Sequence, residues 1–326
     1  MPFPRGRPRA VLRRVTAVFN VIQPGLLTTV QDLGRPGAIA SGVPPGGAMD
    51  RFAHAAANLL VGNERSDGTL ECTLGGPQLV ALRSCVVAVT GADLGPQVNG
   101  REAPMWTGIF LVTGDRLSFA GRRSGIRAYV GVSGGFDGER WLGSRSTYLL
   151  VSRGGIHGRA LNAGDELHLA ADRSAPMIAG RQLAAGMLRD YSDHTLAVMA
   201  GPHLKRLEST SRKALFDEAF KVTPQADRMG YRLDGPTLAL AGDELLSFGL
   251  AAGSVQVVNS GQAIMLMADH QTAGGYAVVA TAVSASLPVA AQLGPGDELR
   301  FRAVTESQAR SMRLDLSAAL ASLASP

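Results

Sequence analysis

Val86-Val-Ala-Val-Thr-Gly-Ala-Asp-Leu-Gly95 decides the fold class. Its first five residues are apolar or β-branched, too few for a buried helix, and glycine and aspartate close the run at once. A strand that ends in a tight turn is the expected local structure. The same pairing of short apolar run and turn recurs outward in both directions, at Ile109-Phe-Leu-Val112, Ala128-Tyr-Val-Gly-Val132 and Ile264-Met-Leu-Met-Ala268, each bounded by Gly, Pro, Asn or Asp. Mostly β structure follows from that spacing.

A Gly-Asp-x-Leu phrase punctuates the chain at Gly114-Asp-Arg-Leu117, Gly164-Asp-Glu-Leu167, Gly242-Asp-Glu-Leu245 and Gly296-Asp-Glu-Leu299. In each, a turn is expected to feed a strand. Two occurrences in each half suggest duplicated lobes. The segment Asp172 to Asp193 holds Pro176, two glycines and no sustained strand pattern, so it reads as the linker. The expected organisation is a basic tail over 1–16, an N-terminal lobe over 17–171, a linker over 172–193, a C-terminal lobe over 194–303 and a helix over 304–326.

Helices are few. Ala48 to Val61 places Phe52, Ala56, Leu59 and Leu60 on one face, with Asp50 in the first turn and Gly62 past the end. Thr305 and Gln308 form a capping box before a stripe of Met312, Leu316, Ala319, Leu320 and Leu323, a helix expected to pack on its own lobe.

The formal charge of +5 over 326 residues suggests an anionic partner only until its location is noticed. Arg5, Arg7, Arg9, Arg13 and Arg14 precede any recognisable fold, and taking these five from the 32 basic residues leaves 27 against 27 acidic. A neutral body argues against nucleic acid, which needs a concentrated basic face. No run of 18 apolar residues occurs, so no membrane span is expected. Cys72 and Cys85, both in apolar stretches, read as reduced core thiols of a cytoplasmic protein.

Four turns carry side chains able to do chemistry. Asp50 follows Ser41-Gly-Val-Pro-Pro-Gly-Gly47, where backbone can approach a ligand closely, although a helix-terminal carboxylate needs no ligand. Asp93 and Asn99 lie beyond the Val86 strand, and each is equally at home in an Asx turn. Arg228, in Ala226-Asp-Arg-Met-Gly-Tyr231, could clamp a substrate carboxylate or pair with Asp227. Gln271, Thr272, Gly274, Gly275 and Tyr276 form a turn whose free N–H groups could make an oxyanion nest. Gly131-Val-Ser-Gly-Gly135 fits a nucleophile elbow around Ser133, but the glycine-interrupted segment that follows is a poor helix. The six histidines are scattered without metal-ligand spacing, so no metal site is expected. Only Lys205, Lys213 and Lys221 are lysines, none after a glycine, so there is no phosphate-binding P-loop and no Met-Lys-Met biotin site.

In order and spacing, Val30-Gln-Asp-Leu-Gly-Arg-Pro-Gly37, the Pro-Pro-Gly-Gly-Ala-Met-Asp50 turn, Leu74-Gly-Gly-Pro77, Leu142-Gly-Ser-Arg-Ser-Thr147 and Asp227-Arg-Met-Gly-Tyr231 resemble the biotin-dependent carboxyltransferase, or allophanate hydrolase subunit 2, family. The resemblance runs from about Val18 to Phe301. It implies two linked cyclophilin-like β-barrel lobes with a few short helices. The activity it implies first is that of the C component of 5-oxoprolinase, opening 5-oxoproline to glutamate with A-like and B-like partner proteins that bring ATP and magnesium. A carboxyltransferase moving a carboxyl group from carboxybiotin to urea or a related amide, and a non-catalytic regulator of a B-like component or a kinase-inhibitor protein, are the alternatives. For that activity, residue type rather than the resemblance assigns the roles: Asp50 and Asp93 would orient or deprotonate the lactam nitrogen, Arg228 would hold the carboxylate, and Asn99, Gln256 and the Gln271 turn would contact substrate and stabilise charge. The chain departs from the family pattern at Gln271-Thr-Ala-Gly-Gly-Tyr-Ala277, where Gln-Thr-Thr-Gly-Gly-Tyr-Pro is usual. It also carries Ser247-Phe-Gly249 in place of Ser-Glu-Gly, and Val258-Asn259 in place of a Pro-Pro pair.

Overall fold

The computed structural model describes residues 16–171 and 179–324. The basic tail, apart from Thr16, and the linker stretch 172–178 lie outside the described residues. In the N-terminal lobe the order is β1 (Thr16–Gln23), β2 (Leu27–Gln31), α1 (Arg51–Leu60), β3 (Thr69–Thr73), β4 (Gln78–Ala81), β5 (Cys85–Asp93), β6 (Pro96–Val98), β7 (Arg101–Glu102), β8 (Gly108–Leu111), β9 (Arg116–Phe119), β10 (Ser124–Val132) and β11 (Glu166–Leu169). The C-terminal lobe follows with β12 (Thr195–Ala200), α2 (Ser209–Asp217), β13 (Phe220–Ala226), β14 (Gly230–Asp234), β15 (Phe248–Gly249), β16 (Ser254–Val257), β17 (Ala263–Leu266), β18 (Ala273–Gly274), β19 (Ala277–Ala282), α3 (Leu287–Ala290), β20 (Glu298–Ala303) and α4 (Glu306–Ala324).

Three of the four Gly-Asp-x-Leu phrases share one construction. Asp115, Asp165 and Asp297 each accept from the backbone N–H three residues earlier, at 2.8, 2.7 and 2.8 Å. The glycine before each has φ near +90°, open to glycine but strained for other residues. The leucine then starts the buried side of a strand, and Leu117, Leu167 and Leu299 are all sealed in core. Gly242 has the same φ but does not feed a strand. A Cβ there would lie 2.5 Å from Arg206 Nη2, and the coil beyond carries Leu246 at 92% exposure. The expected fourth turn-to-strand unit is therefore a surface loop.

The N-terminal lobe divides its strands between a six-stranded sheet, in the order β11-β1-β4-β9-β6-β7, and a five-stranded sheet, in the order β2-β3-β10-β5-β8. Phe19, Leu79, Leu117 and Leu167 meet Leu70, Val87, Leu111 and Phe136 between them. Each such side chain contributes about 1.5–3 kcal/mol by leaving water. The C-terminal lobe closes into a seven-stranded barrel, β12-β19-β16-β17-β14-β13-β20, through a parallel β12–β20 pair. Phe220, Tyr231, Val255, Met265, Val279 and Phe301 fill it, with Phe220 and Phe301 rings 5.4 Å apart. Met49 of the first lobe is part of that second core, so the lobes share packing.

Helix α1 begins at Arg51, with Asp50 as its N-cap rather than a residue of the first turn. The capping box at α4 is formed, Thr305 N–H donating to Gln308 Oε1 at 2.8 Å and Gln308 N–H to Thr305 Oγ1 at 3.3 Å. The expectation that α4 stays on its own lobe is corrected. Its start packs on Ala197 and Val283 of the C-terminal lobe, but Ala319, Leu320 and Leu323 pack on Phe52, Leu60 and Val86 of the N-terminal lobe. Arg181 of the linker clamps this arrangement, donating to the carbonyls of Leu59 and Leu323 at the C-terminal ends of α1 and α4. Cys72 and Cys85 are free and buried, and burial pushes both thiols up to about 12, so neither is a nucleophile at neutral pH.

Candidate functional site

The buried surface between the lobes is polar, and its centre is Glu71. Its strand otherwise shows apolar or hydroxyl side chains, so the carboxylate needs partners. Glu71 Oε2 accepts from Met49 N–H at 2.8 Å and from Tyr129 OH at 2.7 Å, and Oε1 accepts from Arg228 Nη1 at 2.5 Å. Arg228 reaches it from the other lobe. Its Nε and Nη2 grip Asp269 at 2.8 and 3.2 Å, and Nη2 also donates to Gly47 O at 2.6 Å. Burial opposes ionisation of Glu71, yet Arg228 and Arg127 hold its pKa below the usual carboxylate range. Burial also works against the Arg228 charge, and Asp269 and Glu71 together more than reverse it.

Asp50 belongs to the same seam. One carboxylate oxygen caps α1 by accepting from Ala53 N–H at 2.9 Å; the other accepts from Tyr191 OH at 2.6 Å and Gln292 Nε2 at 2.9 Å. Gln292 in turn accepts from the Ile126 and Arg127 N–H groups through Oε1, where the β10–β5 register breaks between Ser124 and Ala128. Asp50 is fully buried, and burial raises its pKa despite those donors. Asp50 and Arg228 are both buried, and neither lines the cavity on the C-terminal barrel described below. With its guanidinium occupied by Asp269, Glu71 and Gly47, Arg228 is a staple between lobes, and the expected clamp on a substrate carboxylate is corrected to that role. The expected alternative, a pair with Asp227, is absent too: Asp227 Oδ1 caps its own turn, accepting from Met229 and Gly230 N–H.

Replacing Tyr191 with Phe removes one donor from this sealed carboxylate. A loss of about 1–3 kcal/mol is expected. Because the folded pKa of Asp50 is raised, its contribution to stability is present at low pH and falls as pH rises through that pKa. The loss measured by urea unfolding should therefore be larger at alkaline than at acid pH; equal losses would mean that Asp50 stays neutral throughout.

Asp93 and Asn99 lie elsewhere in the N-terminal lobe, Asp93 at the end of β5 and Asn99 in the β6–β7 turn. Asp93 Oδ1 accepts from Gly95 N–H at 2.8 Å and Oδ2 lies 3.7 Å from the half-exposed Arg123 guanidinium. Asn99, at φ +52°, donates to Asp115 at 2.7 Å and accepts from Arg116 N–H at 2.9 Å, closing the β6–β7 hairpin against β9. Ser133 is buried and followed by two positive-φ glycines rather than a helix, so it makes no nucleophile elbow.

The remaining expected residues do converge. A cavity of about 490 Å³ opens on the C-terminal barrel between the β13–β14 turn and the segment after β17, and Gln256, Gln271 and Tyr276 line it with Asp227, Arg232 and Ile264. Gln256 is buried in β16, with its Nε2 3.5 Å from Tyr276 O. Gln271 is exposed at the rim. A Cβ on Gly274 would stand 2.8 Å from Gln271 Nε2 and 3.5 Å from Gln256 Nε2, so that glycine lets backbone press against both amides. Thr272 O accepts from Leu250 N–H at 2.9 Å, and Phe248, where the family pattern has glutamate, pairs β15 with β18 and packs its ring 4.9 Å from His203. A Cβ on Gly275 would meet Leu245 O at 2.9 Å. Three carboxamides, Gln225, Gln256 and Gln271, each a donor and an acceptor, with the opposite charges of Arg232 and Asp227 and a tyrosine, suit a small polar ligand such as an amide or lactam.

Residues 41–303 match the model of a carboxyltransferase domain, subdomain A and B. The chain belongs to that family. Within the carboxyltransferase-domain family, the C subunit of 5-oxoprolinase from Escherichia coli is 36% identical over 301 residues, 91% of this chain and 95% of that protein. The 5-oxoprolinase C subunit of Haemophilus influenzae is 35% identical, over 87% and 91% of the two chains. Among solved structures, a urea amidolyase of K. lactis superposes with a TM-score of 0.89 at 29% identity, covering 95% of this chain. This chain spans only 20% of that amidolyase.

Sequence reasoning missed Glu71, Arg127, Gln292 and Arg232. A charge inside Thr69-Leu-Glu-Cys-Thr73 was the available signal for Glu71, because a carboxylate in a strand buried on both faces must have a cationic or hydrogen-bonding partner. No helix among the described residues is long and apolar enough to cross a membrane.

Proposed function

We propose that this chain is the C subunit of an ATP-dependent 5-oxoprolinase, a lactam hydrolase that converts 5-oxoproline to L-glutamate with partner proteins. The observation that carries this reading is the 36% identity to a 5-oxoprolinase C subunit along nearly the whole length of both proteins. The cavity beside Gln256 and Gln271 supports it chemically. A five-membered lactam presents one N–H donor and one carbonyl acceptor on adjacent atoms, and a carboxamide offers the complementary pair. Arg232, which lines the cavity and donates to Gln262 Oε1 at 3.4 Å, would receive the ring carboxylate, the role first expected of Arg228.

In ring opening, water adds to the carbonyl carbon, the C–N bond breaks, the carbonyl becomes a carboxylate and the nitrogen leaves as an amine. Negative charge builds on the carbonyl oxygen, and a carboxamide N–H aimed there stabilises it. ATP and magnesium would be bound by the partner proteins, since the sequence has no P-loop lysine to cradle phosphates. The similarity to a urea amidolyase favours a second reading, carboxyl transfer from carboxybiotin to an amide by the same cavity.

Co-purification with A-like and B-like 5-oxoprolinase components, followed by assay of labelled 5-oxoproline with ATP, separates the two. Glutamate formation only in the complete mixture, with calorimetry showing affinity of the isolated chain for Mg-ATP no tighter than about 1 mM, is expected. Incorporation of labelled bicarbonate into urea without glutamate formation would replace the first reading with the second.

A further inference from the structure

A second cavity, of about 340 Å³, lies at the lobe junction away from Gln256 and Gln271. Its wall is apolar and comes from elements far apart in sequence: Phe52 of α1, Met267 after β17, Leu287 and Pro288 of α3, and Leu316 and Leu320 of α4. Two arginines complete it, Arg51 at the first position of α1 and Arg313 on α4. Among the described residues neither guanidinium makes a hydrogen bond or a close ion pair, Arg51 feeling only the charge of Asp32, and no acidic side chain lines the cavity. Elsewhere in this protein a buried surface between lobes is filled with paired polar groups, so an apolar slot beneath unpaired cations stands apart.

We propose that this slot is a binding site for a small amphipathic carboxylate, its hydrocarbon part between α1, α3 and α4 and its anionic head against Arg51 and Arg313. The volume is within the range of small-molecule sites. At about 30 Å³ for each unit the size of a water molecule, it holds on the order of ten heavy atoms, enough for one medium-length acyl chain and too few for a two-chain lipid. Water would fill it poorly, with the hydroxyls of Ser284 and Ser317 as its few polar partners besides the arginines. An anion gains from both guanidiniums. The slot also touches Ala48 and Met49, next to the buried Asp50, and Met267 and Ala268, which lead into Asp269 and Gln271. An occupant therefore braces both lobes at once.

Isothermal titration of the full chain with decanoate and with decanol, below their aggregation concentrations, tests the site. The wild type should bind one decanoate at least about tenfold more tightly than decanol. The double variant R51Q/R313Q, which changes two exposed side chains, should lose that preference while keeping its circular dichroism spectrum. S317F, which places a ring in the slot, should abolish binding of both probes. Absence of saturable decanoate binding to the wild type, an undiminished preference in R51Q/R313Q, or unchanged binding in S317F would each overturn the proposal.

Discussion

Replacing Arg228 with Met is expected to lower the unfolding free energy by about 3–5 kcal/mol, the cost of removing one partner from a buried charge cluster. Met has similar length and fills the space, so the loss would be electrostatic in origin. Without the guanidinium, Glu71 and Asp269 are two buried carboxylates on opposite lobes with no cation between them, and Gly47 O loses its donor. The pH dependence gives the stronger test. In the wild type the lowered pKa of Glu71 contributes stability that is present above its unfolded value and lost as pH falls through the folded one. In the variant, burial without Arg228 raises that pKa, so stability should instead fall as pH rises. Urea unfolding between about pH 3 and 7, spanning the unfolded carboxylate value of about 4.3, should show the slope from Glu71 reversing sign. A loss below about 1 kcal/mol with an unchanged slope would mean that the ion pairs contribute nothing net, as in clusters that hydrophobic residues can replace.

The legible parts of this fold are those set by neighbours in sequence. Val86 to Thr90 reads as a strand because every residue in it suits burial on both faces, and the Gly114, Gly164 and Gly296 turns read correctly because glycine, aspartate and the following leucine act within four residues. Gly242 misled for the same reason. Its local sequence matches the others, but a long-range neighbour, the Arg206 guanidinium, packs beside it and the chain runs on as a surface loop. The path of α4 was hidden because its stripe of Leu316, Leu320 and Leu323 shows that it packs on something without showing which lobe. The seam was hidden more deeply. Asp50 was seen as a carboxylate at a helix start, but Tyr191 and Gln292, which turn it into part of an interlobe network, are 141 and 242 residues away. Arg228 showed its charge and not its partners. Gln271 was named from its glycine-rich turn and Gln256 only beside the family resemblance, and their meeting over Gly274 depends on the closure of the barrel.

Replacing Gln256 with Leu in the reconstituted complex is expected to reduce kcat by about 10²–10³, the effect of deleting one donor aimed at developing oxyanion charge. Gln256 is buried in β16, and leucine is close to it in size, so the strand and the Val255 and Val257 core contacts on either side should persist. If the carboxamide only gripped the ground-state lactam, KM would rise with kcat unchanged; if it acts mainly on the transition state, kcat and kcat/KM fall together. Gly274→Ala supplies an independent test at the same place. The added methyl would lie 2.8 Å from Gln271 Nε2 and 3.0 Å from Leu250 Cδ1, so it must displace the rim amide without removing any polar group. Misplacement by roughly 1 Å costs up to about 10²-fold in rate, and Gly274→Ala should therefore lose activity while its thermal unfolding stays near that of the wild type. Arg232→Ala should behave differently from both, raising KM for 5-oxoproline more than it lowers kcat, because the carboxylate it is proposed to hold does not change charge during ring opening. Full activity in the Gln256 and Gly274 variants together would remove this cavity from the reaction and leave the chemistry to surfaces that the partner proteins complete.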